Sequence, residues 1–191
     1  MGFWDSLRGR TRPRQANLDA LFGIPTAAIT LETAAGLRPT GLGAVCYRAA
    51  EGAAFTRTQA DVVELIEADG GPAVERSVDR FGFTWLVARD DDLSHLCTDL
   101  HAVNTALEVQ GFGSGLLCSL VPFAADDGRR VGLVYLYKQG TFYPFAPAGG
   151  EAGEQRRDNL LELTVRDLLA NELPVEADLQ RWLAVWGAPG L

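Results

Sequence analysis

Apolar positions along the chain follow two spacings, which together predict pairs of strands alternating with single helices. Three pairs of short segments rich in β-forming residues are separated by glycine-containing turns, the last of them Asp126-Asp127-Gly128. The six predicted strands cover residues 27–32, 43–48, 73–78, 83–88, 116–123 and 131–138. A helical pattern of apolar residues follows each pair, so the order strand, strand, helix is expected three times.

Capping and stop signals bound the predicted helices. Residues 17–22 are expected to form a short helix that Gly23 and Pro25 end. Three acidic residues, 90–92, precede the longest apolar stripe and supply a cap for its helix. One further helix is predicted to begin near Thr58, and two others to cover residues 93–110 and about 156–169. A short C-terminal helix is predicted to carry four apolar residues on one face: Leu179, Trp182, Leu183 and Trp186.

This order of elements predicts an α+β fold. Strands joined by hairpins are antiparallel, and helices that follow strand pairs cover the sheet. Residues 131–137 are apolar at both odd and even positions, which indicates a strand buried on both faces near the sheet centre. We therefore predict an antiparallel sheet built from three strand-strand-helix units, with helices packed on the sheet and a short C-terminal helix. Residues 15–191 are predicted to form one domain, preceded by an arm over residues 1–14.

Charge is distributed unevenly along the 191 residues. The formal net charge is −8, but residues 1–14 contain four arginines and one aspartate, a net +3, which leaves −8 − 3 = −11 for the rest. An acidic body argues against nucleic acid as a partner, because phosphate binding needs a basic docking face. No apolar run reaches the length of a membrane-spanning helix or a secretory signal, so we expect a cytoplasmic chain.

The arm combines apolar and basic residues in a pattern typical of docking segments. Phe3, Trp4 and Leu7 cluster on one helical turn, and arginines follow. Such a segment suits an anionic membrane surface, a groove on its own body, a helical partner, or an unbound terminus. The predicted partner- or membrane-binding residues are Phe3, Trp4, Leu7, Arg8, Arg10, Arg12 and Arg14.

An aromatic segment forms the second candidate contact. Five of the chain's seventeen aromatic residues lie within residues 135–145. Tyrosine offers a large contact area with a polar tip, which recognition surfaces favour, while alternate side chains of the same segment suit a core. The predicted body surface comprises Tyr137, Phe142, Tyr143 and Phe145.

The residues with reactive side chains form no recognisable catalytic motif. Cys46, Cys97 and Cys118 lie in apolar contexts without metal-ligand spacing, so we predict buried, free thiols and no metal site or cofactor. On the longest predicted helix Asp99 lies four residues after His95 and is able to orient its imidazole, but no nucleophile elbow accompanies the pair.

Phosphate-binding loops are also missing from the sequence. Gly111-Phe-Gly-Ser-Gly ends a helix and precedes a strand, whereas a dinucleotide loop follows a strand and opens a helix. The flexible Ser114 in this segment is the remaining candidate nucleophile.

Four segments of the chain resemble the PspA-associated protein family PspAB of actinobacteria. They are residues 1–10, 98–104, 134–147 and 185–191. The resemblance extends over nearly the whole sequence. It implies an association with the phage-shock, or envelope-stress, system, whose central PspA protein is a helical, membrane-binding, self-assembling scaffold. It carries no catalytic or ligand residue over to this chain.

Together these features favour a non-enzymatic cytoplasmic adaptor that binds a PspA-like scaffold and contacts the inner face of the membrane. One alternative is a chaperone-like peptide-binding module that holds an extended or amphipathic segment in a groove or at an edge strand. The other is a hydrolase-like enzyme built around His95, Asp99 and Ser114.

Overall fold

A computed structural model describes residues 17–68, 72–148 and 155–191. These ranges contain four α-helices and one seven-stranded antiparallel sheet, which confirms the predicted α+β class. The strands are β1 (Arg38–Pro39), β2 (Leu42–Tyr47), β3 (Glu75–Val78), β4 (Thr84–Arg89), β5 (Leu116–Ala124), β6 (Arg130–Leu136) and β7 (Thr141–Phe145). The helices are α1 (Ile24–Ala35), α2 (Ala53–Glu67), α3 (Leu93–Val109) and α4 (Asn159–Leu169).

The sheet has the order β3-β4-β2-β5-β6-β7, with the short β1 paired to β5. Strand β6 pairs with β5 and β7 and is buried along most of its length, as its continuous apolar pattern predicted. At one edge, Phe142 of β7 accepts a hydrogen bond from the Glu176 amide (2.7 Å) and donates one to the Pro174 carbonyl (2.8 Å). The opposite edge, β3, pairs only with β4 among the described residues.

The first predicted strand is wrong, because residues 27–32 lie within α1. Pro25 occupies the first turn of α1, where its missing amide is tolerated, so it begins the helix rather than ending one. The 3₁₀ turn Leu18–Gly23 leads directly into α1. Ala27, Ala28 and Leu31 are buried at helical spacing, a pattern that small side chains made inconspicuous in the sequence.

Most of the later elements agree with the predictions, and three differ. Helix α2 begins at Ala53, ahead of the predicted cap Thr58, which lies inside it. Strand β7 lies within the aromatic segment 135–145, and the sequence predicts no strand beyond residue 138 there. The C-terminal helix is reduced to the 3₁₀ turn Leu179–Arg181, and Leu183 is 64% exposed while Trp182 is buried, so these residues share no buried face.

Asp92 begins α3 as its N-cap, as predicted. Its carboxylate accepts hydrogen bonds from the amides of Ser94 (2.8 Å) and His95 (3.3 Å). These bonds stabilise the ionised form and lower the pKa of Asp92 below its usual value.

The two faces of the sheet are covered by different structures. All four helices pack on one face, where Val45, Leu133 and Tyr135 contribute to a large apolar cluster. Alternate residues of the same strands point to the other face and form a second cluster with residues of the irregular C-terminal segment, including Trp182 and Ala188. The helix-free face is therefore closed by chain that has almost no regular secondary structure.

None of the helices in the described ranges combines the length and the apolar character that a membrane crossing requires.

Candidate functional site

A groove of about 530 Å³ opens on the helix-free face of the sheet, a size within the usual range for binding clefts. Its floor is formed by strands β2, β5 and β6, one wall by the β3–β4 hairpin, and the other by residues 183–186, which we call the strap. The lining is largely apolar and aromatic. Its most prominent members are Phe81, Phe83, Trp85, Leu183, Val185 and Trp186.

The strap is held over the sheet by named contacts. The hydroxyl of Tyr143 donates a hydrogen bond to the Leu183 carbonyl at 2.8 Å, which joins β7 to the strap. Trp186 packs edge-on against Phe145, with ring centroids 4.9 Å apart and an interplanar angle of 81°. Arg157 donates a hydrogen bond at 2.6 Å to the carbonyl of Trp182, the residue directly before the strap. These contacts fix one wall of the groove without a helix or strand.

The opposite wall is a turn organised by Asp79. Its carboxylate accepts hydrogen bonds from the amides of Phe81 (2.9 Å) and Phe83 (3.0 Å) and from the Trp85 indole (3.2 Å). Partial burial raises the pKa of Asp79, but these hydrogen bonds outweigh it and the pKa lies below the ordinary value. The groove therefore carries an anionic group at one side, while Phe81 remains 65% exposed at its mouth.

Two thiols face each other on the groove floor. Cys46 of β2 and Cys118 of β5 are register partners, and both side chains are buried. A hydrogen bond with Cys118, followed by burial, raises the pKa of the Cys46 thiol. Burial also raises the pKa of Cys97, on the helix side, to about 12. Raised pKa values oppose thiolate formation, and the three cysteines are buried and free, as predicted.

The aromatic segment belongs to the core, which corrects its prediction as a body docking surface. Phe142, Tyr143 and Phe145 are at most 1% exposed, and Tyr137 is 7% exposed. The physical reason is that β7 is covered on both faces, so alternate side chains enter the two apolar clusters. Tyr143 alone reaches the groove, as part of its inner lining.

The arm residues that the sequence predicts to bind a partner or membrane lie outside the described residues. These are Phe3, Trp4, Leu7, Arg8, Arg10, Arg12 and Arg14.

The residues of the hydrolase alternative are spread along α3. The His95 imidazole lies 3.7 Å from Asp90 and is largely exposed in the first turn of the helix. Ser114 lies beyond the opposite end, separated from His95 by most of a 17-residue helix, about 25 Å in length. His95 and Ser114 are thus too far apart to act on one substrate atom. In the described part of the chain, no three metal-ligating side chains come together.

Sequence reasoning missed the groove because its walls come from distant segments. The signal that was available is the run Phe81-Gly-Phe-Thr-Trp85, three aromatic residues at alternating positions beside a turn. The strap gives no such signal, because its apolar residues have the spacing of a helix. Only its packing on Tyr143 and Phe145 makes it a wall of the groove.

Comparison with protein families gives a match over nearly the full sequence. The family model for PspAB, PspA associated protein B, matches residues 1–190. Comparisons with curated proteins and with solved structures gave no match. The family match agrees with the resemblance noted in the sequence, and the chain belongs to the PspAB family of PspA-associated proteins.

Proposed function

We propose that this protein is a non-enzymatic cytoplasmic adaptor that associates with a PspA-like helical scaffold, and that the groove on the helix-free face receives an apolar stretch of that scaffold. The observation that carries the proposal is the groove itself, with aromatic side chains on both walls and a strap made of irregular chain. The family description, which names PspA as the associated protein, supplies the class of partner.

The chemistry of the groove suits one face of an amphipathic helix. Such helices bind by inserting apolar side chains into a hydrophobic groove, with anchors spaced about one turn apart. Phe81 and Leu183 stand at the mouth on opposite walls and are 65% and 64% exposed. They are placed to contact an inserted side chain from two sides. Asp79 on the hairpin wall adds a negative charge that favours a basic residue on that side, while Lys138 places a positive charge in the same lining.

The arm is proposed as a second contact. Its four arginines suit an anionic surface, either a lipid headgroup layer or an acidic stretch of scaffold, and its apolar residues add a small buried area. The role of the arm is separable from that of the groove, because arginine contacts weaken with salt and apolar contacts do not.

The groove assignment is tested by charge substitution at its mouth. Phe81→Glu and Leu183→Glu each place a carboxylate in the apolar contact while altering side chains that are already exposed. We expect each to weaken co-elution and the measured affinity for a purified PspA-like scaffold by about tenfold or more. The matched control is Ile29→Glu, since Ile29 is 68% exposed on α1, on the other side of the sheet. Unchanged affinity in both groove variants would reject the groove as the scaffold site.

Among the described residues the outer edge of β3 has no partner strand, and this favours one second candidate, a peptide-binding module that adds an extended segment to the sheet. This candidate predicts saturable binding of an extended peptide without lipid or scaffold. It also predicts that binding is lost when proline replaces Arg76 in β3 and is retained in Leu183→Glu, the reverse of the pattern expected for groove binding. The Arg76 amide points away from β4, because the Asp79 amide donates to the Phe83 carbonyl and amide directions alternate along an antiparallel strand.

A further inference from the structure

We propose that the arm folds back on its own molecule, so that Phe3 and Trp4 occupy the sheet-face groove when no partner is bound. The inference concerns regulation of the groove and rests on the proposed function for its biological meaning. The intramolecular contact itself is testable without any scaffold.

The first support is the place where the described chain begins. Asn17 lies against the β6–β7 turn, where its backbone nitrogen and Cβ are 3.5 and 3.4 Å from the position of a Cβ on Gly140. Gln139, the neighbour of Gly140, lines the groove together with Lys138. The described chain therefore begins against Gly140, next in sequence to Gln139 of the groove lining.

A second observation marks the same place. The hydroxyl of Tyr135 is buried and has no hydrogen-bond partner among the described residues. It lies 3.9 Å from the Cβ position of Gly140, beside Asn17. Buried hydroxyls are nearly always paired, and a chain segment that passes over this turn brings backbone carbonyls within reach as acceptors. We propose that the residues preceding Asn17 in the sequence supply this acceptor.

The length of the arm is sufficient for the return. Trp4 precedes Asn17 by 13 residues, a stretch that reaches up to about 43 Å when extended and about 20 Å when helical. The proposed path runs around the β6–β7 turn, from the helix side, where Tyr135 lies, to the groove side.

The chemistry of the two surfaces is complementary. Phe3, Trp4 and Leu7 supply apolar anchors of the kind that the aromatic lining accepts. The arm carries a net charge of +3 against −11 for the rest of the chain. The groove lining contains one carboxylate, Asp79, on the hairpin wall and one ammonium group, Lys138, so the basic residues of the arm are expected on the Asp79 side. The tether raises the effective concentration of the arm at its own groove into the millimolar range, so a weak contact is enough to fill it.

This arrangement makes the two proposed contact elements shield each other. With the arm in the groove, neither the aromatic residues of the arm nor the apolar walls of the groove face solvent. A scaffold segment that enters the groove displaces the arm and frees it for a second contact. The arm is then free to contact membrane or scaffold only after a scaffold segment has bound in the groove.

The test uses the full chain with the photoreactive residue p-benzoylphenylalanine in place of Trp4. Irradiation of the dilute protein should produce an intramolecular crosslink to residues 79–85 or 183–186, identified by peptide mass. The same probe in place of Ile29, which is exposed on α1, serves as the control. Leu183→Glu in the probe-bearing chain should abolish the crosslink, and added PspA-like scaffold should reduce it.

Four results would overturn the inference. The first is that no crosslink forms, and the second is that crosslinks form only outside these two segments. The third is crosslinks only between two copies, with a yield that rises with concentration, and the fourth is a yield that Leu183→Glu leaves unchanged. The outcome is independent of the scaffold experiment. If the crosslink forms but groove variants bind scaffold normally, the proposed function fails and the fold-back stands; if groove variants lose scaffold but no crosslink forms, only the fold-back fails.

Discussion

The hydroxyl of Tyr143 donates a hydrogen bond to the backbone carbonyl of Leu183 at 2.8 Å, and this bond ties the edge strand β7 to the strap. Tyr143 is 1% exposed, whereas the Leu183 side chain is 64% exposed. A buried donor thus holds the backbone of a residue whose side chain stands at the groove mouth. The position of the groove wall depends on this bond and on the packing of Trp186 against Phe145, because the strap forms no ladder of backbone hydrogen bonds with any strand in the described ranges.

Tyr143→Phe should therefore loosen the strap. Loss of the donor leaves the Leu183 carbonyl without its protein partner, and we expect the free energy of unfolding to fall by about 1 kcal/mol. Amide hydrogen exchange of residues 183–186 should accelerate. Tyr137→Phe is the control, because Tyr137 lies near Glu108 and not at the strap. Equal exchange in the strap of wild type and Tyr143→Phe would refute the role assigned to this bond.

Glu162 is predicted to anchor α4 and the C-terminal segment together. It is 3% exposed, and its Oε1 accepts hydrogen bonds from the Ala146 amide (2.9 Å) and from Arg157 Nε (2.8 Å), while Arg157 also reaches the Trp182 carbonyl. Glu162→Ala leaves a largely buried arginine unpaired, so the free energy of unfolding should fall by about 3 kcal/mol in urea titration.

The exposed residue Glu64 on α2 provides the control for this variant, since Glu64→Ala should leave the urea midpoint unchanged. Equal midpoints for Glu162→Ala and Glu64→Ala would show that the buried ion pair contributes nothing to stability.

Gly132 of β6 is predicted to make room for the end of the chain. A Cβ at this position would lie 2.6 Å from Leu120 Cδ1 and 2.7 Å from Leu191 Cδ1. Gly132→Ala should displace Leu191 and lower the free energy of unfolding by about 1 to 3 kcal/mol, measured by urea titration. In a double-mutant cycle, Leu191→Ala should recover part of that loss. Strictly additive effects would contradict the close approach of these two residues.

Alkaline pH should unfold the protein as its tyrosines ionise. Burial raises the pKa of Tyr47 and Tyr137 to about 12 and moves those of Tyr135 and Tyr143 upward as well. Because the folded pKa values exceed the unfolded value of about 10, this stabilisation is complete below pH 10 and is lost as the pH rises toward the folded values.

Tyrosinate absorbance at 295 nm should consequently appear together with the loss of near-ultraviolet circular dichroism, well above pH 10. Tyrosinate absorbance near pH 10 with the aromatic dichroism intact would contradict the buried environment of these four side chains.

The basic arm should confer salt-sensitive binding to anionic vesicles. Replacement of its four arginines with glutamine removes about 1 kcal/mol of attraction per residue, so binding to vesicles containing anionic lipid should be lost in a sedimentation assay. The control replaces Arg57 and Arg80, two exposed arginines of the body. Binding that the arm variant retains, or that high salt leaves unchanged, would count against the arm as the membrane contact.

Much of the fold was predictable because local signals agreed with the tertiary structure. The apolar alternation in β5 and β6, the Asp-Asp-Gly turn between them and the acidic cap of α3 each specify one local geometry. The family resemblance could also be recognised, since it depends on segments of sequence and not on how these segments are arranged in the fold.

Two predictions failed where local and tertiary preferences diverged. The short apolar run at residues 27–32 suits a strand as well as a helix, and burial of Ala27, Ala28 and Leu31 against neighbouring helices decided for α1. Leu179, Trp182, Leu183 and Trp186 suit one face of a helix, but Tyr143 and Phe145 hold two of them as an irregular strap.

The fold class, the β3–β4 and β5–β6 hairpins, the cap of α3, the charge contrast between arm and body, and the family could all be inferred from the sequence. These features depend on composition or on interactions between residues close together in the sequence, so the order of residues is enough to predict them. Two features became apparent from the packing alone: the aromatic segment is core, and the groove lies between the β3–β4 hairpin and the strap. Both features depend on contacts between segments that are far apart in the sequence, such as the hairpin and the strap, which are separated by about a hundred residues. The stabilising free energy is spread over many such contacts, so no local pattern of residues reveals it.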